Sequence, residues 1–365
     1  MKIGLDAKRI FSNATGLGVY GRNLVYGLNK VPSAHSFTLF TPKDSNQHIN
    51  KSILNPQFEV KSAKTFSSYY WRTLAIKKDL RSNEIDIYHG LSNELPIGIE
   101  KLNIKTVVDI HDLCFIHFKS DYSFLDRQIF WYKSKRAARV SNKIIATSQA
   151  TKKDIVRFFQ VPAEKVEVVY QCCDQSFYSS SEILQQTKKK YQLPEKYVLS
   201  VGTIQGRKNQ KAIVRAMAQL PKKEQIAIVL VGQGKSYLEE LLKISAELKV
   251  EVVHIHNVYF NDLPSIYQSA SLFVYPSFVE GFGIPVLEAM ASKIPVITSR
   301  DTSMAEIIKN EDCLINPADH KELAKKIAFF LKQSNTEVIE RSYHRALEFS
   351  QELFAKKVLE IYQNL

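Results

Sequence analysis

Short apolar runs rich in Val, Ile, Phe and Tyr recur along the whole chain, with polar stretches between them. The first series is KIGLDA (2–7), FTLF (37–40), FEV (58–60), IDIYH (85–89), KTVVDIH (105–111), KIIATS (143–148) and VEVVY (166–170). The second is YVLSVG (197–202), IAIVLVG (226–232), VEVVHIH (250–256), SLFVYPS (271–277), PVITS (295–299) and CLI (313–315). Most are continuously apolar, not alternating, which is the pattern of parallel strands covered on both faces. Helical periodicity lies between them, at Arg207–Leu220, Lys235–Leu248 and Glu322–Lys332, and again over Glu337–Leu365. Alternating strands and helices predict an α/β protein with doubly wound parallel sheets.

The rhythm breaks at Gln171–Glu195, a polar stretch with a Ser run and a Lys run. It predicts a link between an N-terminal domain over 1–180 and a C-terminal domain over 190–349. A chain of 365 residues suits two domains at ~150 residues each. Ligands of open parallel sheets sit beyond the carboxyl ends of the strands, so the chemistry is expected just after them, in a cleft between facing domains.

The balance of 50 Lys and Arg against 37 Asp and Glu gives +13. Residues 1–195 hold 29 basic against 18 acidic residues, so almost all of the excess lies there. Such a field attracts phosphorylated substrates, acidic lipid or nucleic acid, or else is a solvated basic surface. No apolar run reaches ~18 residues and no signal-peptide core opens the chain, so a cytoplasmic protein is expected. Cys114, Cys172, Cys173 and Cys313 fit no zinc spacing and read as reduced thiols.

Five places carry candidate chemistry. Gly16-x-Gly18-x-x-Gly21 formally matches a dinucleotide fingerprint, but Lys8–Thr15 separates it from the first strand. It reads either as a plain Gly-rich turn or as a loop whose N–H groups approach an anion as a helix opens at Val19. His111 ends a strongly apolar strand. It suits a sugar hydroxyl or a proton transfer, or a structural bond to a loop carbonyl, and His89 has the same options. In Gly202–Asn209, Arg207 and Lys208 stand at a predicted helix start, where cations oppose the dipole unless they neutralise a diphosphate. The stretch Glu280–Met290 (EGFGIPVLEAM) follows a strand. Gly281 and Gly283 leave backbone N–H groups approachable, Pro285 suits the helix start, and Glu288 is expected in its first turn. Glu280 and Glu288 are acceptors, each fit for a vicinal diol. Finally, Phe66–Arg81 mixes aromatics with Arg72, Lys77, Lys78 and Arg81. It reads as an interfacial helix on an anionic membrane or as a helix with buried aromatics. The KSKRAAR run (133–139) adds cations, and Lys188–Lys190 reads as solvated.

Taken together, the Glu280-x7-Glu288 spacing, the GLGVY loop, His111, ATSQATKKDI (146–155) and VGTIQGRKNQ (201–210) resemble the GT-B glycosyltransferases of family 4 over nearly the whole chain. The resemblance implies two Rossmann-like domains enclosing a nucleotide-sugar donor, with retention of anomeric configuration and no metal or other cofactor. It implies that Glu280 holds the transferred sugar and Glu288 the nucleotide ribose. Arg207, Lys208 and the N–H of Gly18 would face the diphosphate, and Gly16 belongs to the same loop. Phe282, Gly283 and Ile284 would present backbone amides, and His111 would touch the sugar at the reacting centre. It also implies that the last helix, 350–365, packs back on the first domain. The chain departs from the family pattern at Lys293, where Gly is usual, and at Gln171-Cys172-Cys173-Asp174.

The expected partners are a nucleotide-sugar donor and a glycan or lipid-linked glycan acceptor, with an anionic membrane surface facing the basic half and no nucleic acid. GDP-mannose is the expected donor, from likeness to bacterial mannosyltransferases. Two other readings stand beside this one: an NAD-dependent oxidoreductase using Gly16, Gly18 and Gly21, and a basic nucleic-acid-binding protein. The absence of HExxH, CxxC, GxSxG and GxxxxGK[ST] removes zinc proteases, serine hydrolases and P-loop enzymes.

Overall fold

The computed structural model describes residues 1–13, 16–43, 48–63, 67–180, 182–333 and 335–365. Thr15, Phe66 and Ser181, which belong to stretches singled out above, lie outside the described residues.

The chain divides into two compact units. The first comprises 1–116, 123–172 and 349–365; the second comprises 117–122 and 173–348. From Cys173 onward the polar stretch after Tyr170 is therefore built into the second unit. Its Phe177 is fully buried, edge-on to Tyr267 at 5.5 Å. Lys190 is not merely solvated: its Nζ donates to Asp262 at 2.6 Å.

In the first unit the strands are β1 Lys2–Asp6, β2 Ser36–Thr41, β3 Phe58–Ser62, β4 Ile87–Gly90, β5 Lys105–Ile110, β6 Lys143–Ala146 and β7 Val166–Val168. They form one parallel sheet in the order β3-β2-β1-β4-β5-β6-β7. In the second unit they are β8 Tyr197–Val201, β9 Ala227–Val231, β10 Val252–Ile255, β11 Leu272–Tyr275, β12 Val296–Ser299 and β13 Leu314–Ile315. Their order is β10-β9-β8-β11-β12-β13, again parallel. Each apolar run of the sequence is one of these strands. Both faces are covered by helices, so β8 and β9 are buried at every residue and have no polar face to show. In each sheet the strand order reverses once, between β1 and β4 and between β8 and β11. Crevices for ligands form at such reversals, beyond the carboxyl ends of the strands.

The helix Gln351–Gln363 lies against the helix Gly16–Lys30 in the first unit. It buries Phe354, Ala355, Val358 and Tyr362 in the core shared with Leu24 and Leu28. His89 settles as a structural residue beneath it, fully buried. Nε2–H donates to Asp109 Oδ1 and the Tyr362 hydroxyl donates to Nδ1, both at 2.6 Å, an assignment that satisfies both ring nitrogens. Tyr362→Phe leaves Nδ1 without its donor in a dry site. It is expected to cost about 1–3 kcal/mol of stability, read from the denaturant midpoint at constant slope.

The Gly16–Gly21 glycines lie within a helix and not in a turn directly after β1. A short helix, Lys8–Ser12, follows β1, and Gly16 is already the first residue of the next helix, so that helix opens three residues earlier than Val19. The glycines lie on the helix itself, and Gly18 is needed for close approach. A Cβ there would meet the Asn13 carbonyl oxygen at 1.9 Å. Arg22 locks the corner by donating to the carbonyls of Ile10 and Asn13. The geometry of a dinucleotide fingerprint, a turn straight after β1, is absent from these residues.

Candidate active site

The second unit brings Arg207, Lys208, Glu280, Phe282 and Gly283 onto the loops that follow β8 and β11, the two strands at its reversal point, and Ile284 and Glu288 onto the helix that follows the second loop. After β8 the chain makes a single 3-10 turn, Gly206–Lys208, and then Asn209 takes the left-handed conformation (φ 58°). The helix starts only at Gln210. The two cations therefore sit on a separate turn ahead of the helix, not in its first turn. Asn209 tolerates that backbone and fixes it by donating to the carbonyls of Pro276 and Pro317.

Glu280 is the centre of the arrangement. Its Oε1 lies 2.8 Å from Arg207 Nη1 and 2.6 Å from Lys208 Nζ, and it accepts from Ser277 Oγ at 2.7 Å. Lys208 Nζ also donates to the Tyr275 hydroxyl, and Arg207 Nη1 to the Val279 carbonyl. Burial pushes the Glu280 carboxyl up. The Lys208 ammonium and the Arg207 guanidinium outweigh it and hold the group down to about 2. Glu280 is therefore an anion at every physiological pH, and the two cations lean on it from the β8 loop.

Gly283 (φ 119°) ends the loop and opens the helix Ile284–Ala291, with Pro285 in its first positions. Only glycine is comfortable there, and a Cβ would meet Met304 Cγ at 2.7 Å. Gly283→Ala is expected to cost about 2–4 kcal/mol and to lower the thermal midpoint. Ser303 Oγ donates to the carbonyls of Glu280 and Phe282 and so pins the same loop, while the Phe282 ring is buried. Ile284 is half-buried at the helix start.

Glu288 lies in the second turn of this helix, not the first, because the helix begins at Ile284. It is buried and accepts from the Tyr267 hydroxyl at 2.7 Å. Burial pushes it up to about 7, against the Tyr267 hydrogen bond and with help from the Asp174 charge. The two glutamates thus differ sharply. One is neutralised by cations and always ionised; the other has no cation and titrates near neutrality.

Gly16, Gly18 and His111 belong to the first unit. His111 is buried, with its ring edge-on to Tyr20 at 4.5 Å. Nε2 donates to the Leu91 carbonyl at 2.9 Å, the structural bond named above as an alternative. That tautomer leaves Nδ1 as the acceptor nitrogen.

Sequence reasoning missed Tyr275, Ser277, Ser303, Tyr267 and Asp121. The last accepts the Arg207 backbone N–H at 3.0 Å, and nothing local could reveal a partner 86 residues away. Lys293, the departure from glycine, takes φ 56° just after the helix Ile284–Ala291. The position demands a left-handed residue, and its Nζ lies 4.2 Å over the Tyr343 ring. The four cysteines are buried, and none is in a disulfide. Among the described residues no three His, Cys, Asp or Glu side chains gather as a metal site, and no helix is long and apolar enough to cross a membrane.

Comparison with known proteins adds an independent line. Residues 14–177 match the family described as Glycosyltransferase Family 4, and residues 183–346 match Glycosyl transferases group 1. The chain is 28% identical to O-antigen chain mannosyltransferase B of Escherichia coli over the whole of both chains. It is 29% identical to the serotype-specific mannosyltransferase WbdA of Escherichia coli over 65% of this chain, which spans 30% of that longer protein. Among solved structures, Anabaena Alr3699/HepE, crystallised with UDP and glucose, superposes with a TM-score of 0.75 at 18% identity over all of both chains.

Proposed function

Because the chain belongs to the GT-B glycosyltransferases, with a family 4 domain followed by a group 1 domain, we propose that it moves a hexose from a nucleotide-sugar donor to a glycan or lipid-linked glycan, with retention and without a metal. The observation that carries this reading is the Arg207–Lys208–Glu280 cluster at the carboxyl ends of β8 and β11. When the bond to the anomeric carbon breaks, negative charge develops on the leaving diphosphate. Arg207 and Lys208, already ordered by Glu280, stabilise that charge without reorganising. Glu280 accepts from hydroxyls of the transferred sugar. Glu288, above its pKa, accepts from a vicinal diol of the ribose.

The relatives named mannosyltransferases support mannose as the sugar and polysaccharide synthesis as the setting. GDP is the proposed base; HepE, which binds UDP, makes UDP-glucose the natural competitor. A cytoplasmic enzyme at the inner membrane face is supported by the basic excess of residues 1–195 and by the exposed Tyr69, Tyr70, Phe124 and Leu125. The same stretch holds Trp71 and Arg72 buried, so its aromatics serve both core and surface.

A thermal-shift panel of GDP-mannose, UDP-glucose, UDP-galactose and NADH tests the reading. GDP-mannose is expected to raise the midpoint, since ligand at 100 times its Kd adds about 2.7 kcal/mol. The shift should survive EDTA. A response to NADH alone, or to none of the sugars, overturns it.

A further inference from the structure

Two side chains from outside the loops after β8 and β11 grip the turn that carries both cations. That turn, Gly206–Lys208, opens after Gln205, whose side chain caps none of its N–H groups. The cap comes from far along the chain: Asp121 Oδ2 accepts the Arg207 N–H at 3.0 Å. Asp121 closes a 3-10 turn of its own, Lys119–Asp121. Residues 117–122 are built into the second unit, although 116 and 123 belong to the first. The approach is close. A Cβ at position 206 would meet Asp121 Oδ1 at 2.9 Å and the Phe118 ring at 3.3 Å, so glycine makes room for both.

The other side of the Arg207 peptide is held as well. Its carbonyl accepts the Phe278 N–H at 2.8 Å. Phe278 in turn stacks on Phe118, with ring centroids 5.6 Å apart and planes 19° apart. The Arg207 peptide is therefore clamped between the segment 117–122 and the loop after β11. A single 3-10 turn needs such support, because its hydrogen bonds are poor and its first N–H groups have no partner inside it.

Asp121 acts on an anion site in two opposed ways. Its charge repels a diphosphate, whereas its hydrogen bond holds the cations that attract one. The side chain is half-buried, so solvent weakens the repulsion. Misplacing a positioned group by about 1 Å costs about 10²-fold. Geometry outweighs charge. We propose that Asp121 is a positioning residue, acting through the Arg207 backbone to aim Arg207 and Lys208 at the leaving diphosphate. This role rests on the sugar-transfer reading above and adds to it a residue from the segment 117–122.

The test is calorimetry on the full chain with GDP against GMP and UDP against UMP, beside the turnover assay. The wild type is expected to favour the diphosphate of at least one base. Asp121→Ala should cut that preference roughly fivefold or more and leave monophosphate affinity within about twofold. It should also lower kcat about 10²-fold with a smaller change in donor KM. Asp121→Asn keeps an acceptor for the Arg207 N–H and drops the charge. It should match or exceed the wild-type preference and restore kcat to within about fivefold. Circular dichroism checks the fold of both variants. A preference unchanged or raised in Asp121→Ala overturns the proposal, because only the charge then matters. An equal loss of monophosphate and diphosphate affinity also overturns it, as a sign of general loosening. Asp121→Asn decides alone where the alanine variant does not fold: a fivefold loss of preference there overturns the proposal. A wild type with no diphosphate preference for either base sinks the donor reading and this role together. A wild type that has the preference, beside an Asp121→Ala that keeps it, sinks this role alone.

Discussion

Glu280→Gln is expected to lower sugar transfer roughly 10²–10³-fold, the usual cost of spoiling a group that stabilises developing charge. The same change should remove about 3 kcal/mol of stability, from a carboxyl held near 2 instead of its usual 4.5. The two effects share a cause. Glutamine keeps the shape and one acceptor but leaves Arg207 and Lys208 buried without their counter-charge, which is costly by itself. The sign of the pH dependence follows. A depressed carboxyl contributes stability above pH 4.5 that is lost as the pH falls from 4.5 towards 2. The wild-type protein should show that acid slope and the variant should lack it. Urea titrations at pH 3 and pH 6 measure it beside the turnover assay. Wild-type turnover in Glu280→Gln would refute the assignment of the cluster.

The second large effect has the opposite sign. Glu288 is raised to about 7, so between pH 4.5 and 7 the folded protein holds a proton that the unfolded chain has released. Its contribution is therefore lost as the pH rises through that window, and above it amounts to a penalty of about 3 kcal/mol. Glu288→Gln keeps an acceptor for the Tyr267 hydroxyl and cannot ionise. It is expected to be about 3 kcal/mol more stable than the wild type at pH 8 and nearly equal to it at pH 4.5. Donor binding should suffer. Ribose hydroxyls favour the ionised carboxyl, so wild-type affinity should rise from pH 6 to pH 8 with release of a proton, and the variant should bind about tenfold more weakly with no such slope. Calorimetry in two buffers of different ionisation enthalpy reads the proton. Identical stability slopes for the two proteins between pH 5 and 8 would discard the argument.

How much of this the sequence shows depends on distance along the chain. Most strands were legible because a doubly covered strand is apolar along nearly all its length, as in β9, apolar throughout, and β8, interrupted only by Ser200; β3 (FEVKS) is mixed and half exposed. The Glu280–Glu288 stretch was legible because glycine, proline and acid residues are unusual together at a strand end. Local backbone detail was not. The helix after Arg207 begins late because Asn209 turns left-handed, whereas Glu288 falls in the second turn because its helix begins at Ile284, ahead of Pro285. Partners far apart were invisible. Ser277 stands three residues from Glu280 and could have been guessed, whereas Asp121 under Arg207 and Tyr267 under Glu288 need the fold. His111 showed both of its readings in the sequence. Only the structure commits one ring nitrogen to Leu91.

The path of the chain has a last consequence. Residues 349–365 belong to the first unit, yet they follow every residue of the second. A ribosome therefore delivers all the parts of the second unit before it delivers the helix that packs over His89 and Leu24 in the first. During synthesis the earlier-made portion must wait, with one apolar face open, for the later-made one to pass. A premature stop near residue 348 would leave the late half whole and the early half uncovered.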